Sequence, residues 1–321
     1  MRLSVHHATR FKFDQPSGHS IHDVRLTPKP ATGQRIVSWR IEGPGKRSEW
    51  LDGHNNQVTT FSVAQQHDAV EIVVHGVYEY SGADHWLRYA EVPTLPAPFW
   101  LRNSPLATPD ASFDPLVEGL REGAADPAER VAVLHEVMGR IGKRMTYGTG
   151  ASTVDTTATE ALARGVGVAQ DETHIFIACC RHLGVPARYV SGYLRNDDPE
   201  LHVGRTSHSW AEAWVPGLDW VGFDPANGIS PRGDSLRVAV GLDYRDAAPV
   251  SGRRIGFGEA TMTVVATIMV FDCELISSPA RAGVVSPYCG AGGVKCLGPR
   301  ASRPLIDLIM SGRDARGPHD S

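Results

Sequence analysis

Along the first eighty residues, apolar and polar positions alternate in short runs. Leu3 to Phe13, His19 to Leu26, Gln34 to Glu42, Gln57 to Val63 and Ala69 to Tyr80 each read as a strand with one apolar face. Turn residues separate them at Gln15-Pro-Ser-Gly18, Pro28-Lys-Pro30, Gly43-Pro-Gly45 and Asp52-Gly-His-Asn-Asn56. This spacing predicts a small antiparallel β-sandwich over residues 1–81. Residues 82–125 then place Pro93, Pro96 and Pro98 beside Trp86, Phe99 and Trp100. Proline opposes regular structure while the aromatics favour burial, so this stretch is predicted to be a connector packed onto the body, with Trp100 as a packing residue.

The period changes near residue 126. Asp126-Pro-Ala-Glu129 reads as a helix start, and Val131, Leu134, Val137, Met138 and Ile141 follow at helical spacing. A second start, Thr157 with Glu160, opens a short helix to Ala163. The stretch from Gly165 to Asp224 predicts a glycine-rich turn, a helix from about Ala169, and three strands. Ile175, Phe176, Cys179, Cys180 and Leu183 form the helix's buried side, and Gly184 with Pro186 ends it. The strands are Arg188 to Leu194, Ser207 to Val215 and Trp220 to Asp224, the last two joined by the Pro216-Gly217 turn, with the loop Asn196 to Arg205 beside them. Ala260 to Val270 is a final apolar strand, assigned with the closing segment to a core unit at 126–270. The Gly-, Pro-, Ser- and Arg-rich tail, 271–321, is read as mostly disordered, with one weak amphipathic piece at Pro304 to Met310.

Composition narrows the class without naming a task. Of 321 residues, 41% are hydrophobic and 21% charged, as in a soluble globular protein, and the net charge of −4 gives no basic field for nucleic acid. The N-terminus alternates like a strand and has no signal-peptide core, and no stretch is apolar enough to span a membrane. The five cysteines, Cys179, Cys180, Cys273, Cys289 and Cys296, match neither a disulfide framework nor a zinc spacing, which points to a reducing cytoplasm. No metal or nucleotide cofactor is implied, since glycine-rich phosphate motifs are absent. His6, His7, His19 and His22 lack ligand spacing and are assigned surface or hydrogen-bonded structural roles.

A helix N-terminus ahead of a sheet bearing His208 and Asp224 is the arrangement that thiol catalysis requires. The helix dipole lowers a thiol pKa, an imidazole holds the thiolate, and a carboxylate orients the imidazole. The position where that thiol belongs is Ala169. Gln170 is placed to donate to an oxyanion with the backbone N–H of Ala169. By alternation His208, Trp210, Glu212 and Trp214 share a face, so the tryptophans are expected to shield the histidine and Glu212 to pair with Arg188. His174 reads equally as a packed histidine bonded to a backbone carbonyl or as a functional group.

These motifs resemble the bacterial transglutaminase-like superfamily. GVGVAQD, RHLGVPARYVSGY, SHSWAE and DWVGFDPANG follow one another as in that family, and RLTPKP with Asp52 to Val58 matches its N-terminal region. The resemblance covers roughly residues 1–270. It implies an α+β fold, a β-sandwich followed by a papain-like transglutaminase core, and acyl transfer at the amide carbonyl of a peptide or protein. The family's cysteine, histidine and aspartate fall on Ala169, His208 and Asp224, and Tyr147 sits where an aromatic precedes the core, either lining a cleft or packing inside. Glu172, Ser209 and Asp219 are smaller departures from the pattern.

Alanine carries no nucleophile. Three accounts stand: an engineered Cys→Ala change, a natural pseudoenzyme, or substitution by another thiol. The third is weakest, since Cys179 lies roughly 15 Å along the helix at about 1.5 Å per residue. The expected function is therefore a cysteine amidase or protease scaffold without thiol-dependent turnover. The alternative is a module that binds a peptide or protein.

Overall fold

The computed structural model describes residues 1–81, 95–195, 207–271 and 308–312. Six strands open the chain: β1 (Arg2–Ser17), β2 (His19–Val24), β3 (Gln34–Glu42), β4 (Lys46–Leu51), β5 (Gln57–Val63) and β6 (His67–Tyr80). Five follow the alternation. The sixth, β4, escaped it because every residue of the strand is exposed, as suits a charged edge strand that among the described residues pairs with β5 alone.

After the first sandwich strands come short helices α1 (Asp114–Val117) and α2 (Arg121–Ala125), then α3 (Arg130–Arg144). Asp126 does accept from the N–H of Ala128, but Asp126 to Glu129 form a turn and the regular helix starts one turn later than expected. The connector is more ordered than proline suggested: Ala97–Leu101 makes a 3₁₀ turn directly after Pro96, using prolines where a missing N–H costs nothing. Trp100 is buried, as a packing residue should be. Trp86 and Pro93 lie outside the described residues.

β7 (Thr146–Tyr147) and β8 (Val166–Gly167) make a small parallel pair around α4 (Ala158–Arg164), whose Thr157–Glu160 capping box forms as read. α5 (Ala169–His182) is buried along nearly its whole length and packs on the sheet formed by β9 (Ala187–Tyr193), β10 (Ser207–Val215), β11 (Asp219–Phe223) and β12 (Leu236–Gly241), in the order β11-β10-β9-β12. Gly184 takes the left-handed conformation, φ +78°, that ends the helix. The core between helices and sheet is built from Leu134, Val137, Ile141, Ile175, Phe176, Cys179, Cys180, Ala211, Ala213 and Phe223.

Beyond α6 (Tyr244–Ala247), β13 (Val250–Ile255) and β14 (Ala260–Phe271) do not stay with this core, where the sequence had grouped them. β13 pairs with β2, and β14 pairs with β1 from Phe13↔Ala260 to Arg2↔Phe271. The sandwich is thus closed by both ends of the chain, in sheets β15-β14-β1-β6-β3 and β13-β2-β5-β4, where β15 is Leu308–Gly312. Alternation fixes which face of a strand is buried and leaves its partner open, so the sequence could not assign these strands. β15 falls in the tail read as mostly disordered, beside the outer edge of β14, whose unpaired backbone groups favour a further strand.

The sandwich is also welded to the core sheet. Leu3, Leu26, Ile41, Val74 and Tyr78 share one apolar cluster with Tyr193, Leu236 and Val238. Asn56, fully buried, donates to the carbonyl of Val240 at 2.8 Å and accepts from its N–H at 2.9 Å, so one side chain pairs with the edge of β12 as a strand residue would. Asp52 holds that asparagine through its backbone N–H at 2.9 Å and its side-chain amide at 3.1 Å. His7 bonds Thr9 at 2.9 Å and the hydroxyl of Tyr193 at 3.0 Å. Among the described residues no helix is long and apolar enough to cross a membrane.

Burial, reinforced by the charge of His6, lowers the His7 pKa to about 4, and burial with His67 does the same to His22. Between an unfolded value near 6.5 and these folded values, the unfolded chain gains protons that the fold does not accept, so stability falls as pH falls through that window. Each histidine should contribute a slope on the order of 1 kcal/mol per pH unit. Denaturant titrations of the wild type and His7→Gln at pH 7, 6 and 5 check this: the variant should show the shallower loss.

Candidate active site

The head of α5 is built by two glycines and a carboxylate. Gly165, at φ +66°, caps α4 and turns the chain. Gly167 leaves room for Asp171, since a Cβ there would come within 2.7 Å of the Asp171 carboxylate oxygen. That oxygen accepts from the backbone N–H of Val168 at 2.7 Å and from the hydroxyl of Ser152 at 2.6 Å. Burial raises the pKa of Asp171 while these two bonds oppose the rise. GVGVAQD is therefore a turn, a clearance and a cap, which together set where the helix begins.

The first N–H groups of a helix have no acceptor within it. Those of Asp171 and Glu172 turn to the carbonyl of Val168. Ala169, the first helical residue, is 9% exposed, and its carbonyl accepts from the hydroxyl of Thr173 at 2.7 Å. Gln170, expected to aim at an oxyanion, instead donates its amide to the carbonyl of Val154 at 3.3 Å. That leaves backbone N–H groups as the anion-facing part of this helix end.

β10 carries His208 opposite Gly192 of β9, and Asp224 follows β11. The His208 Nε2 lies 2.7 Å from the Asp224 Oδ2, with both side chains buried. Asp224 is itself fixed by a two-way backbone bridge to Ile229. A carboxylate at Nε2 selects the tautomer with its proton there, which leaves Nδ1 as a proton acceptor. Asn227 completes the group: its amide donates to the same Asp224 oxygen at 2.7 Å and sits 3.3 Å from His208 Nε2. Sequence reading passed over Asn227, although its place three residues after an aspartate in the DPANG turn is a side-chain turn signal.

The other candidates are dispersed. Trp210 is fully buried with Trp100, Val190 and Val240, and its ring fills the space that a Cβ on Gly192, the residue opposite His208, would need. Trp214 stacks edge-on with Trp220 at 5.5 Å. Glu212 does pair with Arg188, at 2.7 Å, and Arg237 joins them at 3.0 Å in a buried ionic group that the sequence showed only in part. Tyr147 is 38% exposed in β7, so it is not a core residue. His174 is packed on Tyr189, yet its Nε2 accepts the N–H of Tyr244 at 3.1 Å and it does not donate to a carbonyl. Burial lowers its pKa to about 3. Cys179 and Cys180 are fully buried and burial drives both thiols up, which suits packing and not nucleophilic attack. The loop 196–206 and the three C-terminal cysteines lie outside the described residues.

Residues 114–225 match the model of the transglutaminase-like superfamily, and residues 3–79 match that of the bacterial transglutaminase-like N-terminal region. The chain belongs to the transglutaminase-like superfamily. It is 30% identical over 275 residues to the uncharacterized protein Mb2599c of Mycobacterium bovis, covering 78% of this chain and 87% of that one. It is 29% identical over 285 residues to the uncharacterized protein ML0607 of Mycobacterium leprae, covering 83% and 98%. Among solved structures it is similar to "a Putative Cysteine Protease from Cytophaga hutchinsonii", with a TM-score of 0.59 at 18% identity over 88% of this chain and 94% of that one. That likeness concerns the fold, which is the α+β arrangement of sandwich and transglutaminase-like core.

The dyad has a titratable neighbour on α5. Glu172 is 5% exposed, and burial first, then the charges of Asp224 and Asp171, raise its pKa to about 7. Its stabilising contribution is complete below an unfolded value near 4.5 and is lost as pH rises through 7. Glu172→Gln should therefore be more stable than the wild type at pH 8, by on the order of 2 kcal/mol, with the gap closing towards pH 4. Denaturant midpoints at the two pH values test this.

Proposed function

We propose that this chain is a transglutaminase-like cysteine amidase or protease scaffold that receives a peptide or protein amide but has no thiol-dependent turnover. The observation that carries the reading is the pairing of an alanine at the first residue of α5 with an intact His208–Asp224–Asn227 group. With a thiol at that point, the thiolate would attack the amide carbon, N–H groups at the helix head would hold the oxyanion, and His208 would protonate the leaving amine. Loss of the sulfur removes the covalent step and leaves the rest of the apparatus. Burial of Cys179 and Cys180 supports the absence of a substitute.

Ala169→Cys tests the scaffold directly. At pH 6, where Glu172 is largely protonated, the new thiol should react with iodoacetamide about tenfold or more faster than a free cysteine, and His208→Ala should abolish the advantage. A rate equal to that of a free thiol would show that the site no longer supports a thiolate, and the binding-module alternative would replace this reading.

A further inference from the structure

Glu172 has no task in the reading above. It lies three residues after Ala169 on α5, hence on the same face of the helix, and helical side chains lean back towards the N-terminus. Its carboxyl group is carried to the turn where the nucleophile would stand. The charged groups acting on it are Asp171 from its own helix, His208 from β10 and Asp224 after β11. Asp171 is occupied by Ser152 and Val168, and Asp224 by His208 and Asn227. The carboxyl of Glu172 has no hydrogen-bond partner among the described residues, and the residue as a whole is 5% exposed. A carboxyl group largely removed from water and without such a partner is costly to keep charged, which is acceptable where chemistry uses it.

We propose that Glu172 and His208 form an acid–base pair that activates water in place of the missing thiol, with a peptide-like amide or ester as substrate. This rests on the reading of the site as one that receives an amide. Nδ1 of His208 accepts a proton from water, and the water oxygen adds to the carbonyl carbon while the π pair moves to the carbonyl oxygen, facing the N–H groups at the head of α5. Collapse re-forms the carbonyl and breaks the C–N bond, and the departing nitrogen takes the proton of Glu172. The products are a carboxylic acid and an amine; the imidazolium then returns its proton to the Glu172 carboxylate through solvent. Separate environments divide the roles: the bond from Nε2 to Asp224 leaves Nδ1 of His208 as the acceptor, and burial raises the Glu172 carboxyl to about 7.

The test exploits the leaving group. An N-acetyl dipeptide p-nitroanilide needs a proton on its departing nitrogen, whereas the matching p-nitrophenyl ester releases a stable anion. In Glu172→Gln the ratio of anilide to ester hydrolysis should fall about 100-fold, a typical loss for a general acid, and His208→Ala should lose both activities. In the wild type the anilide rate should fall above about pH 7 while the ester rate does not. Equal loss on both probes in Glu172→Gln, or no loss, would overturn the proposal, as would a wild type that hydrolyses neither. In that last case, saturable binding of the anilide that His208→Ala weakens leaves the amide-site reading standing, and absence of binding removes both.

Discussion

The bond from Val168 N–H to the Asp171 carboxylate, shared with Ser152, fixes the point where α5 begins. Everything at the site is measured from that point. It places Ala169 as the first helical residue, leaves the leading N–H groups outward, and sets Glu172 one turn further in on the same face. The clearance at Gly167 and the left-handed Gly165 exist to let the carboxylate fold back. A larger side chain at 167 would collide with the Asp171 carboxylate and break the cap that sets the helix start.

The opposing half of the site is held by the sheet and not by a loop. His208 sits in the register of β10 between β9 and the strand that leads to Asp224, and Asn227 closes the turn beneath the pair. Further along the same strand, on the face that carries His208, Trp100, Trp210, Trp214 and Trp220 pack with the Arg188–Glu212–Arg237 group. The guanidinium of Arg188 lies 4.1 Å from the Trp220 ring centre. These residues support the strand that bears His208. A buried ionic group under rigid aromatics is poorly tolerant of movement, which suits a strand that must hold one imidazole in place.

The sandwich has a comparable supporting role. Asn56 pairs with the edge of β12, and His7 meets Tyr193 at the end of β9, so the N-terminal strands grip both flanks of the core sheet. Because β13 and β14 return to β2 and β1, the two ends of the chain close the same unit. The motif that begins at Asp52 is thus a docking device, since it presents Asn56 to Val240.

The sequence by itself determined the elements and the dyad. Alternation, caps and turn residues are local, so they located β3, β5, α4, α5 and β10 nearly to the residue, and ordered motif spacing put His208 and Asp224 together. Only the tertiary structure decided what depends on non-local partners: that the last strands belong to the sandwich, that Gln170 turns to Val154 and Trp210 to Trp100, that Asn227 joins the dyad, and that Glu172 is buried beside it. Strand pairing, side-chain direction and desolvation are set by atoms far along the chain, and no local pattern encodes them.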